Sequence, residues 1–487
     1  MRGRFGFVAL LVGWIGCGGG GTGGTDGFRD PGADLVIDVA GGGDVGETDF
    51  RAGPDGAIED SASPHDGEAS ETADVPAPGE TPDSGMPADE GPGEDPGPEV
   101  SEDLPADAPA DPFPGDPGDP GLDPGGEGCP REPAPADRPR WIVASLPYGT
   151  GGSPSRAWTL LRLDTDGRLA WTGARFEMGR ATGGLVAFTP DGRLGIAAQD
   201  DGSLGVFTVT DDGAVRVVDG GFRGAFYADQ VRIVGNGDRA LVLDAEWAES
   251  GGGVHQVEIG CDGTLVDRGR WIPARLPRAL LRLPGGAFLL AAWFPEGLSA
   301  EAGDVHLYDL GERPRRLGGG QAFPDDAIMG GAAVTADGTL ALLGDVSEFS
   351  GRDTAIAVME VQGDALVRRQ VITPFEDPVS LVAAPQGGTL LAASGYGDAL
   401  WVLEQVPGQP GAPIRVRGRL DTPGGKPQLP GSMVILERGP LSGRVLVAEV
   451  TGIRQVHLGA DGSATDLGVT SLGGGVEGLP GALGIQP

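Results

Sequence analysis

The sequence holds a single lysine, Lys426, among 487 residues, and its formal net charge is −36. Nucleic acids and anionic lipid surfaces are bound through grouped Lys and Arg that release counterions, so a chain without a basic face is excluded from both kinds of contact. Three cysteines and four histidines stand far apart, with no Cys-x-x-Cys pair and no His-Glu-x-x-His helix. That excludes the usual zinc arrangements. There is no Gly-x-Ser-x-Gly elbow either, which removes the common serine-hydrolase signature. The apolar run Phe5 to Ile15 covers eleven residues, whereas a bilayer core of roughly 30 Å needs about twenty in a helix.

Glycine and proline are abundant instead, 90 and 42 residues, and they crowd into the part of the chain before residue 140. Residues 18–137 carry 31 Asp and Glu against 3 Arg, a net of −28, while residues 138–487 carry a net of −10. High charge with few aromatics buries too little apolar surface to offset ordering entropy, so residues 17–137 are expected to form a disordered acidic spacer. As an ideal coil it would span on the order of 60 Å. Asp116, Asp119 and Asp123 within it read as solvated linker charge rather than a calcium repeat.

The chain opens MRGRFGFVALLVGWIGCGGGG, with Arg2 and Arg4 ahead of the apolar run. This charged start with a short apolar core is the pattern of an export signal. Ile15-Gly16-Cys17 resembles a bacterial lipobox, with Trp14 standing where that motif usually has leucine. The resemblance implies a signal peptide over 1–16, a lipid on Cys17, and a cell-envelope protein anchored to a membrane. Glycine after the cysteine, where the enteric retention pattern has aspartate, favours the outer membrane over the inner.

From Arg138 onward, β-branched and leucine-rich runs of five to eight residues alternate with Asp-Gly turns. LVAFT, RLGIAAQ, SLGVFTV and AVRVVD, separated by PDG, DDG and TDDG, form a four-stranded meander over 185–219. The turn glycine recurs at Gly192, Gly237, Gly286, Gly338, Gly388 and Gly443, spaced 45 to 55 apart. Meanders repeating at this period stack as blades around an axis. Six blades are complete. The first three strands after residue 138 lack an innermost partner, which the terminal LPGALGIQP supplies, so an all-β seven-bladed β-propeller of four-stranded antiparallel blades is expected over 138–487. FTPDGRLGIAAQDDGSLGVFTV and VTADGTLALLGD resemble the lactonase-like and surface-layer-type seven-bladed propellers. That resemblance implies a site at the channel mouth with histidine among its residues. Here His255, His306 and His457 fall in third strands, away from that mouth, and His65 lies in the spacer, so no family catalytic residue transfers.

Lettering each blade's strands A to D from the axis outward, the A–B and C–D turns are short, and the B–C loops and D-to-A connections on the opposite face are longer. Long loops on a rigid scaffold are where binding residues collect. They carry Phe226, Tyr227, Asp229, Trp247, Trp293, Phe294, Asp325, Asp326, Asp345, Phe349, Asp377, Tyr396 and Asp398. Aromatics beside carboxylates suit a glycan, a peptide or another protein. Two functions follow: a tethered monomeric binding or scaffold propeller, and a lactonase-like hydrolase using carboxylates with Arg278 or Arg352. No cofactor, metal ion or nucleic-acid partner is assigned. Export would leave Cys129 and Cys261 as an even pair in an oxidising compartment. Both are expected on the short-turn face, and the twelve steps from Cys129 to Trp141 reach up to about 40 Å, so a Cys129–Cys261 disulfide is expected.

Overall fold

The protein is described by a computed structural model over residues 129, 131–181, 185–246, 252–294, 303–311, 313–323, 329–346, 354–375, 378–394, 399–422, 433–473 and 475–487. The expected export signal, Cys17 and the expected spacer up to residue 128 lie outside these residues.

Seven four-stranded antiparallel sheets make the propeller. In blade 1 the innermost strand is the last of the chain, Leu483–Ile485, followed outward by Arg140–Tyr148, Pro154–Leu163 and Leu169–Glu177. The A strands of blades 2 to 7 are Ala187–Phe188, Ala228–Val234, Arg275–Arg282, Met329–Val334, Pro378–Ala383 and Met433–Ile435. Ring closure is made by Ile142, Val143 and Ala144 pairing with Ile485, Gly484 and Leu483.

The Thr-x-Asp-Gly turns follow from local chemistry. Asp191 Oδ1 accepts from Thr189 Oγ1 at 2.6 Å and from Arg193 N at 3.0 Å, with Gly192 at φ +71°. Asp337 repeats this with Thr335 and Thr339 around Gly338. A carboxylate bonding the backbone two residues on fixes the turn, and glycine alone takes the left-handed position without steric cost. In blade 6 that position falls on Gly387 rather than the periodic Gly388.

Each sheet buries both faces, so the core is divided into clusters between neighbouring blades. Ile196, Val206, Val242 and Val257 fill the space between blades 2 and 3. Between blades 1 and 2, Trp158 is wholly buried, and its indole N–H donates to Gly179 O at 3.0 Å. The D-to-A connections add a buried apolar residue to most of these spaces: Met178, Phe222, Ala274, Phe323, Phe375 and Leu472. Outermost strands expose a pairing edge, and those of blades 3 to 6 each carry two or three arginines, which disfavours pairing with another sheet.

The fold begins earlier than the expected boundary at 137/138. Cys129 is bonded to Cys261 in the C–D turn of blade 3, with Cα atoms 5.4 Å apart. Arg131, 7% exposed, donates from Nη2 to Gly260 O at 2.9 Å and faces Asp191 at 3.8 Å. Ala134 N donates to Pro190 O, and Arg140 Nη2 donates to Ala136 O and Arg438 O, both at 3.1 Å. Residues 129 and 131–140 thus form a strap that crosses the short-turn face from blade 3 past blade 2 to blades 1 and 7. It helps line a cavity of about 160 Å³ with Pro133, Ala134, Ile435, Glu437 and Ile485. Neither composition nor charge sets REPAPAD apart from the sequence before it.

Candidate functional site

The A strands of blades 1, 2, 5, 6 and 7 read LGI, AF, MGGAAV, PVSLVA and MVI, with no ionisable side chain. Those of blades 3 and 4, ADQVRIV and RLPRALLR, hold all the charge of the innermost layer. The channel wall is therefore polar on one sector and apolar elsewhere.

At the long-loop end of that sector, Arg278 Nη1 lies 3.5 Å from Asp229 Oδ1, with both side chains under 15% exposed. Burial pushes the Asp229 carboxyl above its usual range, and Arg278 opposes the shift. Asp229 occupies a bulge, since Ala228 pairs with Asp244 and Gln230 with Leu243. A bulge re-aims the extra residue out of the ladder. The facing strand of blade 4 is irregular as well: its register shifts between Arg275 and Ala279, and Leu276 takes φ +46°. A β-strand leucine in the left-handed region is strained, and such outliers collect at functional sites. Leu276 packs with Tyr227 and Ala245, and its N–H donates to Glu246 O at 2.9 Å.

The loop leading into strand A of blade 3 is held by Asp244, the last residue of that blade's B strand. Its carboxylate, 4% exposed as a residue, accepts from Phe226 N at 3.0 Å and Tyr227 N at 2.9 Å. Tyr227 is consequently buried while Phe226 stays 60% exposed at the mouth. Burial, with Asp229 adding to it, raises the Tyr227 phenol above its usual range; Arg278 and the nearby Arg180 act against this. Arg180, in the connection from blade 1 to blade 2, pairs with Asp200 at 3.2 Å. Burial raises the Asp200 carboxyl, and Arg180 again opposes.

Blade 2 turns from strand B to strand C through Asp200, Asp201 and Gly202, a turn as short as that of blade 1 and shorter than the Asp244-to-Gly253 connection of blade 3. Between the outer strands of blades 1 and 2 lies a groove of about 350 Å³ lined by Arg156, Glu177, Gln199, Ser203, Asp219 and Arg223. The mouth over blades 2 to 4 thus presents an exposed aromatic ring and two carboxylate–guanidinium pairs.

Of the residues expected from the sequence, Tyr227 and Asp229 come together here with Arg278. Asp345 does not: it ends the B strand of blade 5 and is 3% exposed, inside the blade. Trp293 and Phe294 prolong the B strand of blade 4 instead of forming its B–C loop. Trp247, Asp325, Asp326, Phe349, Arg352, Asp377, Tyr396 and Asp398 lie outside the described residues. Arg180, Asp200 and Asp244 were not singled out from the sequence. For Asp244 a signal existed, a carboxylate closing the apolar run ALVLD at the loop face.

No family model matches the chain, and no curated protein matches it. Solved structures do. The periplasmic gluconolactonase of Pseudomonas aeruginosa is 16% identical, with 72% of this chain and 99% of that one covered at a TM-score of 0.51. A candidate 6-phosphogluconolactonase from Bacteroides fragilis is 14% identical, covering 73% and 99% at 0.51. A protein from Lactobacillus plantarum is 12% identical, covering 72% and 99% at 0.52. At these identities the likeness to lactonase-type propellers is one of fold.

Proposed function

We propose that this chain is an exported, lipid-anchored binding protein whose propeller takes a carbohydrate-like ligand at the channel mouth over blades 2 to 4. The observation that carries this reading is the gathering of all innermost-layer charge on blades 3 and 4, with the Asp229–Arg278 pair at the mouth. Paired carboxylate and guanidinium groups offer acceptors and donors side by side with little net charge, which matches a polyol. The exposed Phe226 ring supplies an apolar surface for a sugar face. Titration of an oligosaccharide panel is expected to find a ligand whose affinity falls at least tenfold in Arg278→Met. Unchanged affinity in a folded variant would place the ligand elsewhere.

The anchor rests on Arg2, Arg4, the apolar run and Ile15-Gly16-Cys17, and it puts the protein in the cell envelope, at the outer membrane. Cys17→Ala is expected to abolish fatty-acid labelling and to move the protein from the membrane fraction to the soluble one. Retention of label and partitioning would refute the tether.

A second reading has its own support in the raised proton affinity of Asp229 beside Arg278. A carboxylate of that kind takes a proton from water attacking a ring-ester carbonyl, and the guanidinium holds the resulting oxyanion. Turnover of aldonolactones, lost in Asp229→Asn, would favour this hydrolase over the binding module.

A further inference from the structure

Deeper in the polar sector, Arg232 is the cation of the blade 3 A strand, and it has no salt-bridge partner among the described residues. Its Nε is sealed from solvent without a hydrogen-bond partner among the described residues. The residue as a whole is half-buried. Its neighbour Gln230 is committed, accepting from Leu280 N at 3.0 Å. The acidic group that acts on Arg232 is Glu437, in the turn after strand A of blade 7, across the ring; burial lowers the guanidinium pKa more than Glu437 restores it. Asp229 is already engaged by Arg278. A guanidinium held in a poorly hydrated wall with an unfilled donor is costly to keep, and a fork of N–H donors fits the oxygens of a carboxylate or phosphate. Glu437 lies beside the strap at the short-turn end of the ring.

We infer that Arg232 forms an anion subsite on the innermost strand of blade 3, taking a carboxylate or phosphate group. The subsite does not depend on what the mouth binds. Its test uses the full chain, inorganic phosphate and malonate as probes, and chloride at matched ionic strength as the reference. Thermal unfolding of the wild type is expected to rise saturably with a probe, by about 2 °C at ten times the dissociation constant. Phosphate alone acting would assign the subsite to phosphate, and malonate alone to carboxylates. Arg232→Met should unfold at the wild-type temperature or higher in chloride and show no probe response. Arg232→Lys, keeping the charge without the fork, should respond more weakly. Arg278→Met should respond like the wild type, which separates this subsite from the mouth reading. A wild type that treats both probes like chloride, an Arg232→Met variant that responds fully, or one that unfolds well below the wild type would each overturn the inference. The last result would make Arg232 a structural residue.

Discussion

A chain ending at Gly481 is expected to lose its cooperative unfolding transition and to associate in solution. The residues removed hold the whole innermost strand of blade 1, and with it every strand pair that closes the ring. Leu483 is completely buried, and loss of a buried leucine side chain alone costs about 2–5 kcal/mol. Gln486 adds an N–H bond to Trp141 O at 2.9 Å and a side-chain bond to Gly192 O at 2.8 Å. Leu483 O also accepts from Val186 N, tying blade 2 to the same strand. Together these exceed what a domain stable by about 5–15 kcal/mol tolerates. The freed edge of Arg140–Tyr148 would then offer unpaired backbone to other chains. Scanning calorimetry and size-exclusion chromatography check this, and a native-like midpoint in a monomer would show that the ring does not need its clasp.

Cys129→Ser is expected to lower stability by up to about 5 kcal/mol, the chain-entropy value for a loop closed across 132 residues. For a ring of this size that is a fall of roughly 5–7 °C in the midpoint. The effect should be matched by Cys261→Ser and by reduction of the wild type. It should not increase in the double variant, because one bond is removed in every case. Intact-mass analysis of exported protein supplies the direct check: two cysteines alkylated without reduction would mean there is no bond to lose.

The blade count and the clasp were legible because both rest on periodicities that every blade repeats: alternating apolar runs, Asp-Gly turns, and an unpartnered run at each end. A blade's B–C loop has no such repeat. Asp345 and Asp244 occupy the same place at the end of a B strand, and the sequence offered Asp345 as a surface ligand residue. In the fold both are buried, and Asp244 is spent on the N–H groups of Phe226 and Tyr227. Arg180 and Asp200 meet only because the connection from blade 1 descends beside the tight turn of blade 2. Contacts between blades depend on how the ring stacks, which no local pattern encodes. Phe222, Phe323 and Phe375 each follow the end of a D strand by three or four residues, a visible signal of inter-blade packing that loop composition alone concealed.

The strap also decides how the propeller meets a pull. Tension along the chain ahead of residue 129 reaches the fold first at Cys129, and the covalent bond passes it to the C–D turn of blade 3. Without that bond the same load would fall on the hydrogen bonds of Arg131 and Ala134 and, once these part, on Arg140. There it would act on the strand that also holds the terminal clasp. Hydrogen-bonded strands open one bond at a time when peeled from an end, so the clasp is where such a load does most harm. Bonding the strap two blades away moves the point of attachment off the seam and leaves the strap beyond it slack.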